Sequence, residues 1–163
     1  MDVAIFIGSE SDYDVVREAL DVLKEFGVSC GLEVTSAHRS AERTRKLVAG
    51  LEEKGVKIFI AAAGKAAHLA GFVAAHTILP VIGVPVEGAG LGGLDALLST
   101  VQMPKGVPVA TMGLGKTGAS NAALLAVEIL SLRNASLKRK LKEYRLKLAA
   151  QVEEASKKVR HKT

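Results

Sequence analysis

Short apolar runs alternate along this chain with segments whose apolar residues recur every three or four positions. Val3–Ile7 is an unbroken apolar run closed by Gly8, which predicts a buried strand. Residues 12–26 carry Val15, Val16, Ala19, Leu20, Leu23 and Phe26 at helical spacing, and Gly27 marks the stop. The same reading continues with a strand over 28–35 and a helix rich in Glu, Arg and Lys over 41–54, ended by Gly55. A strand follows over 57–62, then a helix of small residues over 66–77, with Pro80 beyond it. The remaining elements are a strand over 81–84, a glycine-rich loop over 87–93, a short helix over Leu94–Val101 and a strand over 107–112. An apolar helix over 119–132 and a long charged helix from about Ser136 complete the pattern.

Strand and helix alternate throughout, which predicts an α/β domain with a parallel sheet covered by helices on both faces. No internal repeat or low-complexity linker interrupts it, and composition shifts only near Asn134. The chain therefore divides into an α/β body over 1–134 and a C-terminal helical arm over 135–163. The arm carries Leu137, Leu141, Tyr144, Leu148 and Val152 as one narrow apolar stripe on a charged rod. That stripe predicts packing on its own domain or on a neighbouring subunit; contact with a membrane or an acidic partner is the alternative.

Composition refines this picture. The 163 residues fit one domain and are 48% hydrophobic but only 4% aromatic, without Trp, so the core is built from Ala, Val, Leu and Ile. So much small apolar content on a short chain predicts surface buried between subunits. The net charge of +5 belongs to the arm: ten Lys/Arg against three Asp/Glu lie from Lys138 onward, against twelve and fourteen in the rest. No aromatic residues cluster with the basic ones, which argues against nucleic-acid binding. The single cysteine, Cys30, excludes an internal disulfide and a multi-cysteine metal site, and reads as a small buried hydrophobe in a strand. No signal-peptide pattern or transmembrane-length run is present, so the chain reads as a soluble cytoplasmic protein.

Three polar stretches follow three successive strands: Gly8–Asp12 (GSESD), Ser36–Ser40 (SAHRS) and Ala63–His68 (AGKAAH). In open α/β sheets, ligands bind outside the carboxyl ends of strands where the strand order switches. In the order 2-1-3-4-5 these three loops meet. Their contents suit a phosphorylated ligand. Gly8 allows close backbone approach, Ser9 and Ser11 offer hydroxyls, and Arg39 supplies a fixed positive fork. Asp12 suits ribose hydroxyls or caps the helix that follows, and capping alone accounts for a Ser/Asp pair at that place. His38 and His68 arrive on adjacent loops, and two imidazoles beside an anion-binding crevice point to acid–base work. No third ligand accompanies them at metal spacing. His76, two helical turns after His68, reads as a packing or interface residue, and His161 as a solvated tail residue. The stretch Gly113–Gly118 (GLGKTG) resembles the end of a P-loop, but the required earlier glycine is Ala110, which excludes an NTPase.

Taken together, GSESD, SAHR, AAHLAGFVAAHT, LPVIGVPV, LLSTVQMPKGVPVAT and GASNAALLAVEIL resemble the N5-carboxyaminoimidazole ribonucleotide mutases of de novo purine synthesis. The similarity runs in order from about Val3 to Leu132. It implies a three-layer flavodoxin-like fold, sheet order 2-1-3-4-5 with a long C-terminal helix, in a homo-octamer with active sites at subunit interfaces. It implies a small ribonucleotide substrate and a reaction without cofactor or metal, in which a carboxylate moves from the exocyclic nitrogen to ring carbon C4. By this resemblance Ser9, Ser11, Asp12 and Arg39 hold the ribose-phosphate end. Ser36, His38, Gly64, Ala66, His68 and Leu69 hold the base and carboxylate end, with His38 as proton carrier, and residues 92–98 form a nearby loop.

The chain departs from the family at three places. Lys65 stands where the family typically has glycine, Ala70 where it has proline, and Ser40-Ala41 replaces Thr-Pro after SAHR. If position 65 needs a positive φ, a lysine there costs on the order of 1–2 kcal/mol. A related carboxylase using free CO2, and a nucleotide-binding module without turnover, are the competing readings. A relative that carboxylates a pyridine nucleotide fits less well, because it carries an extra domain.

Overall fold

The computed structural model describes residues 1–88 and 90–160, so Ala89 and His161 lie outside the described residues. It divides into two compact units, Met1–Ala126 and the residues from Val127 onward.

The first unit holds a five-stranded parallel sheet in the order β2-β1-β3-β4-β5. The strands are β1 (Val3–Ile7), β2 (Cys30–Val34), β3 (Ile58–Gly64), β4 (Val81–Val86) and β5 (Ala110–Thr111). The helices are α1 (Tyr13–Phe26), α2 (Ala41–Glu53), α3 (Leu69–Ala74), α4 (Leu94–Val101), α5 (Gly115–Ser131) and α6 (Ala135–Arg160). A 3-10 turn at Glu10–Asp12 leads into α1. From β1 the chain crosses first to β2 on one side and then, through α2, to β3 on the other. Right-handed crossovers in opposite directions put their helices on opposite faces, which is the doubly wound arrangement expected from the sequence.

The three central strands are apolar on both faces, as strands covered by helices on both sides must be. Every residue of β1 and β4 and the first five of β3 are buried. Phe6 and Phe59 meet at 5.5 Å between ring centroids and anchor a core otherwise made of Ala, Val, Leu and Ile. Small residues set the spacing. A side chain on Gly83 would collide with Thr100 of α4 and come within 2.9 Å of Val109 and 3.2 Å of Ala70, so α4 sits closely on β4.

Three elements differ from the sequence-based expectation. The fifth strand shrinks to Ala110–Thr111, which pair with Ile82 and Gly83 of β4. Pro108 removes a donor from the residues just before it. The helix expected over 66–77 is only Leu69–Ala74, because the preceding residues turn tightly. Helix α5 begins at Gly115, four residues early, and its Gly118 packs where any side chain would strike the Gly113 carbonyl. Cys30 is half-buried rather than core, and burial pushes its thiol pKa up.

In the second unit Asn134 caps α6, its side-chain oxygen accepting from the Ser136 and Leu137 amides at 3.0 and 3.1 Å. Arg145 pairs with Glu128 at 2.9 Å. Along the expected stripe Leu137 is buried, Leu141 and Tyr144 are half-buried, and Leu148 and Val152 are exposed.

Candidate active site

All three loops singled out in the sequence open on one side of the sheet, at the carboxyl ends of β1, β2 and β3. Between them lies an open cleft of about 520 Å³. Every candidate residue lines it: Ser9, Ser11, Asp12, Ser36, His38, Arg39, Gly64, Ala66, His68 and Leu69. Strand β1 is flanked by β2 on one side and β3 on the other, so its loop forms the floor between the other two.

The first loop is a closed capping arrangement. The Ser9 amide donates to Asp12 Oδ2 at 3.1 Å, and the Ser11 amide donates to Ser9 Oγ at 3.4 Å. Asp12 is therefore a cap and a cleft residue together, which joins the two readings of the sequence. Burial pushes its carboxyl pKa up, opposed by the hydrogen bonds from Ser9 and Ser11.

The second loop is held by hydroxyls. Ser40 Oγ accepts from the Ser36 amide at 3.0 Å, and Ser36 Oγ accepts from the Arg39 amide at 3.2 Å. Beneath them Thr35 and Thr44 are buried with their hydroxyl oxygens 2.7 Å apart, and Thr44 Oγ1 lies 3.1 Å from the Ser40 carbonyl. The turn presents His38 and Arg39 to solvent. Arg39 Nη2 donates to the Gly8 carbonyl at 2.8 Å, tying this loop to the floor and leaving the rest of the guanidinium for a ligand.

The third loop is the strained one. Gly64 ends β3 where a side chain would press to 3.2 Å on the Val86 carbonyl of β4. The next residue, Lys65, has φ +56°, the one described non-glycine residue in the left-handed region. Two tight turns follow, with the Ala67 amide donating to the Lys65 carbonyl at 2.8 Å and the His68 amide to the Ala66 carbonyl at 2.7 Å. They bring His68 back toward the second loop. His38 Nε2 and His68 Nδ1 lie 2.7 Å apart, with the rings edge to face. Which ring donates across that contact is set by the tautomers of the two imidazoles. If a proton enters at the outer nitrogen of one ring while the bridging proton shifts and the outer nitrogen of the other ring releases one, both rings stay neutral and the two outward nitrogens exchange donor and acceptor roles. The pair can therefore give a proton at one ligand atom and take one at another.

Glu87 and Gly88, just beyond β4, also line the cleft and were missed in the sequence. The rule that found the first three loops applies equally to the carboxyl end of β4. Residues 92–98 do not line the cleft: from Leu94 they are the first turns of α4, and Leu98 instead lines a shallow groove with His68, Phe72 and Met103. His76 is exposed, its Nδ1 2.7 Å from the Phe72 carbonyl and its ring stacked on Phe72.

Residues 2–151 match the family model described as AIR carboxylase. The chain belongs to the AIR carboxylase family. Within that family it is 53% identical over 143 residues to the N5-carboxyaminoimidazole ribonucleotide mutase of Pyrococcus abyssi, covering 88% of this chain and 81% of that protein. The Bacillus subtilis protein of the same name is 51% identical over 143 residues, covering 88% of each chain. Among solved structures, Treponema denticola PurE superposes with a TM-score of 0.85 at 30% identity, covering 93% of this chain and 94% of that one.

Proposed function

We propose that this chain is an N5-carboxyaminoimidazole ribonucleotide mutase of purine biosynthesis. The observation that carries the reading is the His38–His68 bridge, set in a cleft whose other wall offers hydroxyls and a guanidinium. Ser9, Ser11 and Arg39 take the ribose-phosphate end, and Asp12 the ribose hydroxyls. Ser36, Gly64, Ala66 and Leu69 frame the base.

The chemistry requires one proton to move twice. In the carbamate, the N–C bond breaks, its electron pair returns to nitrogen, and nitrogen takes a proton from His38 as CO2 forms. C4 of the resulting aminoimidazole attacks CO2, and His38 then removes the C4 proton. Proton and carbon balance, and no external acid is consumed. Small walls at Ala63, Gly64 and Ala66 leave room for CO2 beside the base.

A family description that names a carboxylase favours a second reading, in which free CO2 is the carbon source. Supplying the N5-carboxy ribonucleotide, and separately the uncarboxylated ribonucleotide with bicarbonate, distinguishes them. The mutase forms the C4 carboxylate from the first; conversion of the second alone overturns the assignment. Loss of turnover by at least about a hundredfold in His38→Asn is expected for its acid–base role.

The assembly is a homo-octamer in this reading, supported by the exposed apolar residues Ile78, Leu91, Leu94, Leu98 and Val101. A clean monomer by light scattering would refute it. No helix among the described residues is long and apolar enough to cross a membrane, and a charged nucleotide substrate suits a cytoplasmic enzyme.

A further inference from the structure

Lys65 is the residue that the fold does not call for. Lysine is among the side chains that resist a left-handed backbone, yet it holds φ +56° at the edge of the cleft. Strain kept at one residue of a ligand site points to a role for the side chain that bears it. Its stem passes over Gly88, with Cγ 3.8 Å from where a side chain there would begin, and its charged end forms no ion pair or hydrogen bond with any described residue. The cleft's other cation, Arg39, belongs to the second loop and is tethered to the Gly8 carbonyl of the floor. His68 and the small residues Ala63, Gly64 and Ala66 belong to the same loop as Lys65, with Gly64 and Ala66 as its immediate neighbours.

We infer that the Lys65 ammonium is the counter-charge for the substrate's carboxylate, and so sets this enzyme's preference for carboxylated over uncarboxylated ribonucleotide. The inference rests on the mutase reading. An unpaired ammonium on a flexible stem can follow a carboxylate as it moves from nitrogen to C4, which a fixed guanidinium fork cannot do as readily. Neutral CO2, formed between the two, gains little from the charge. Lys65 therefore holds both end states and leaves the intermediate to the small-residue wall.

Titration calorimetry on the full chain tests this with two probes, 4-carboxyaminoimidazole ribonucleotide and the same ribonucleotide without its carboxylate. Lys65→Met keeps the stem and the backbone strain but removes the charge. It should weaken binding of the carboxylated probe by about tenfold, the size expected for losing a charge-assisted hydrogen bond, and leave the other probe within about twofold. Lys65→Arg should restore most of the loss. Undiminished binding of the carboxylated probe to Lys65→Met overturns the inference alone. An equal loss for both probes also overturns it, since it assigns the charge to the phosphate. Failure of the native chain to bind either probe overturns the mutase reading and this inference with it.

Discussion

Replacing Lys65 by glycine, and separately by alanine, separates the backbone cost of this position from the work of its charge. At φ +56° an ordinary L-residue carries a penalty of roughly 1–2 kcal/mol, because its Cβ crowds the neighbouring carbonyl. Glycine removes that penalty but loses more freedom on folding, which costs roughly 0.5–1 kcal/mol. The net expectation for Lys65→Gly is a gain of about 0.5–1 kcal/mol. For a chain of this length that raises Tm by roughly 1–4 °C. Alanine keeps the Cβ and therefore the strain. Because the lysine side chain is exposed and unpaired within the described residues, Lys65→Ala should stay within about 0.5 kcal/mol of the native chain. Urea unfolding with matched m-values measures both. A Lys65→Gly chain no more stable than native, or an alanine variant as stabilised as the glycine one, would refute the strain argument.

Other expectations address the core, the hydroxyl turn and pH. Gly83→Ala should destabilise by about 1–3 kcal/mol in urea, since the new methyl meets Thr100, Val109 and Ala70 together. Thr44→Val should cost about 1–2 kcal/mol by leaving buried polar partners unmet, and should lower kcat by loosening the turn under His38. Asp12 and Asp2 respond to pH in opposite senses. Burial raises the folded pKa of Asp12, so its contribution to stability is full below about pH 3.8 and is lost as pH rises through the folded value. Asp12→Asn should gain stability relative to the native chain over that rise. The Lys57 and Ser29 bonds lower the folded pKa of Asp2, so its contribution is present above about pH 3.8 and is lost as pH falls through the folded value. Asp2→Asn should flatten that acid limb, read as thermal midpoints across pH.

Elements that the core dictates were legible in the sequence, and those decided by a neighbour were not. Strand β1 and helix α4 fall where their apolar patterns place them, because each residue's burial follows from its own position. Strand β5 was expected over 107–112 but pairs only at Ala110 and Thr111, with Pro108 just before them lacking a ladder donor. The cleft was legible as a place, since strand ends and polar loops coincide. Its inner geometry was not. No spacing rule reports that His38 and His68 come within 2.7 Å of each other, because 30 residues and one intervening strand separate them. The backbone at Lys65 was the least legible of all, since residue preference argues against the conformation adopted.

The turn that carries His38 has a thermal consequence. Residues 35–44 contain no proline ring, and the turn relies on the hydroxyls of Thr35, Ser40 and Thr44. A ring limits the unfolded chain and restrains the turn at any temperature. Hydroxyl bonds restrain it by enthalpy, and heat erodes such a restraint well before the sheet melts. On warming, the alignment of the two imidazoles should therefore drift before global unfolding, so turnover should decline at a temperature where the secondary structure is still intact.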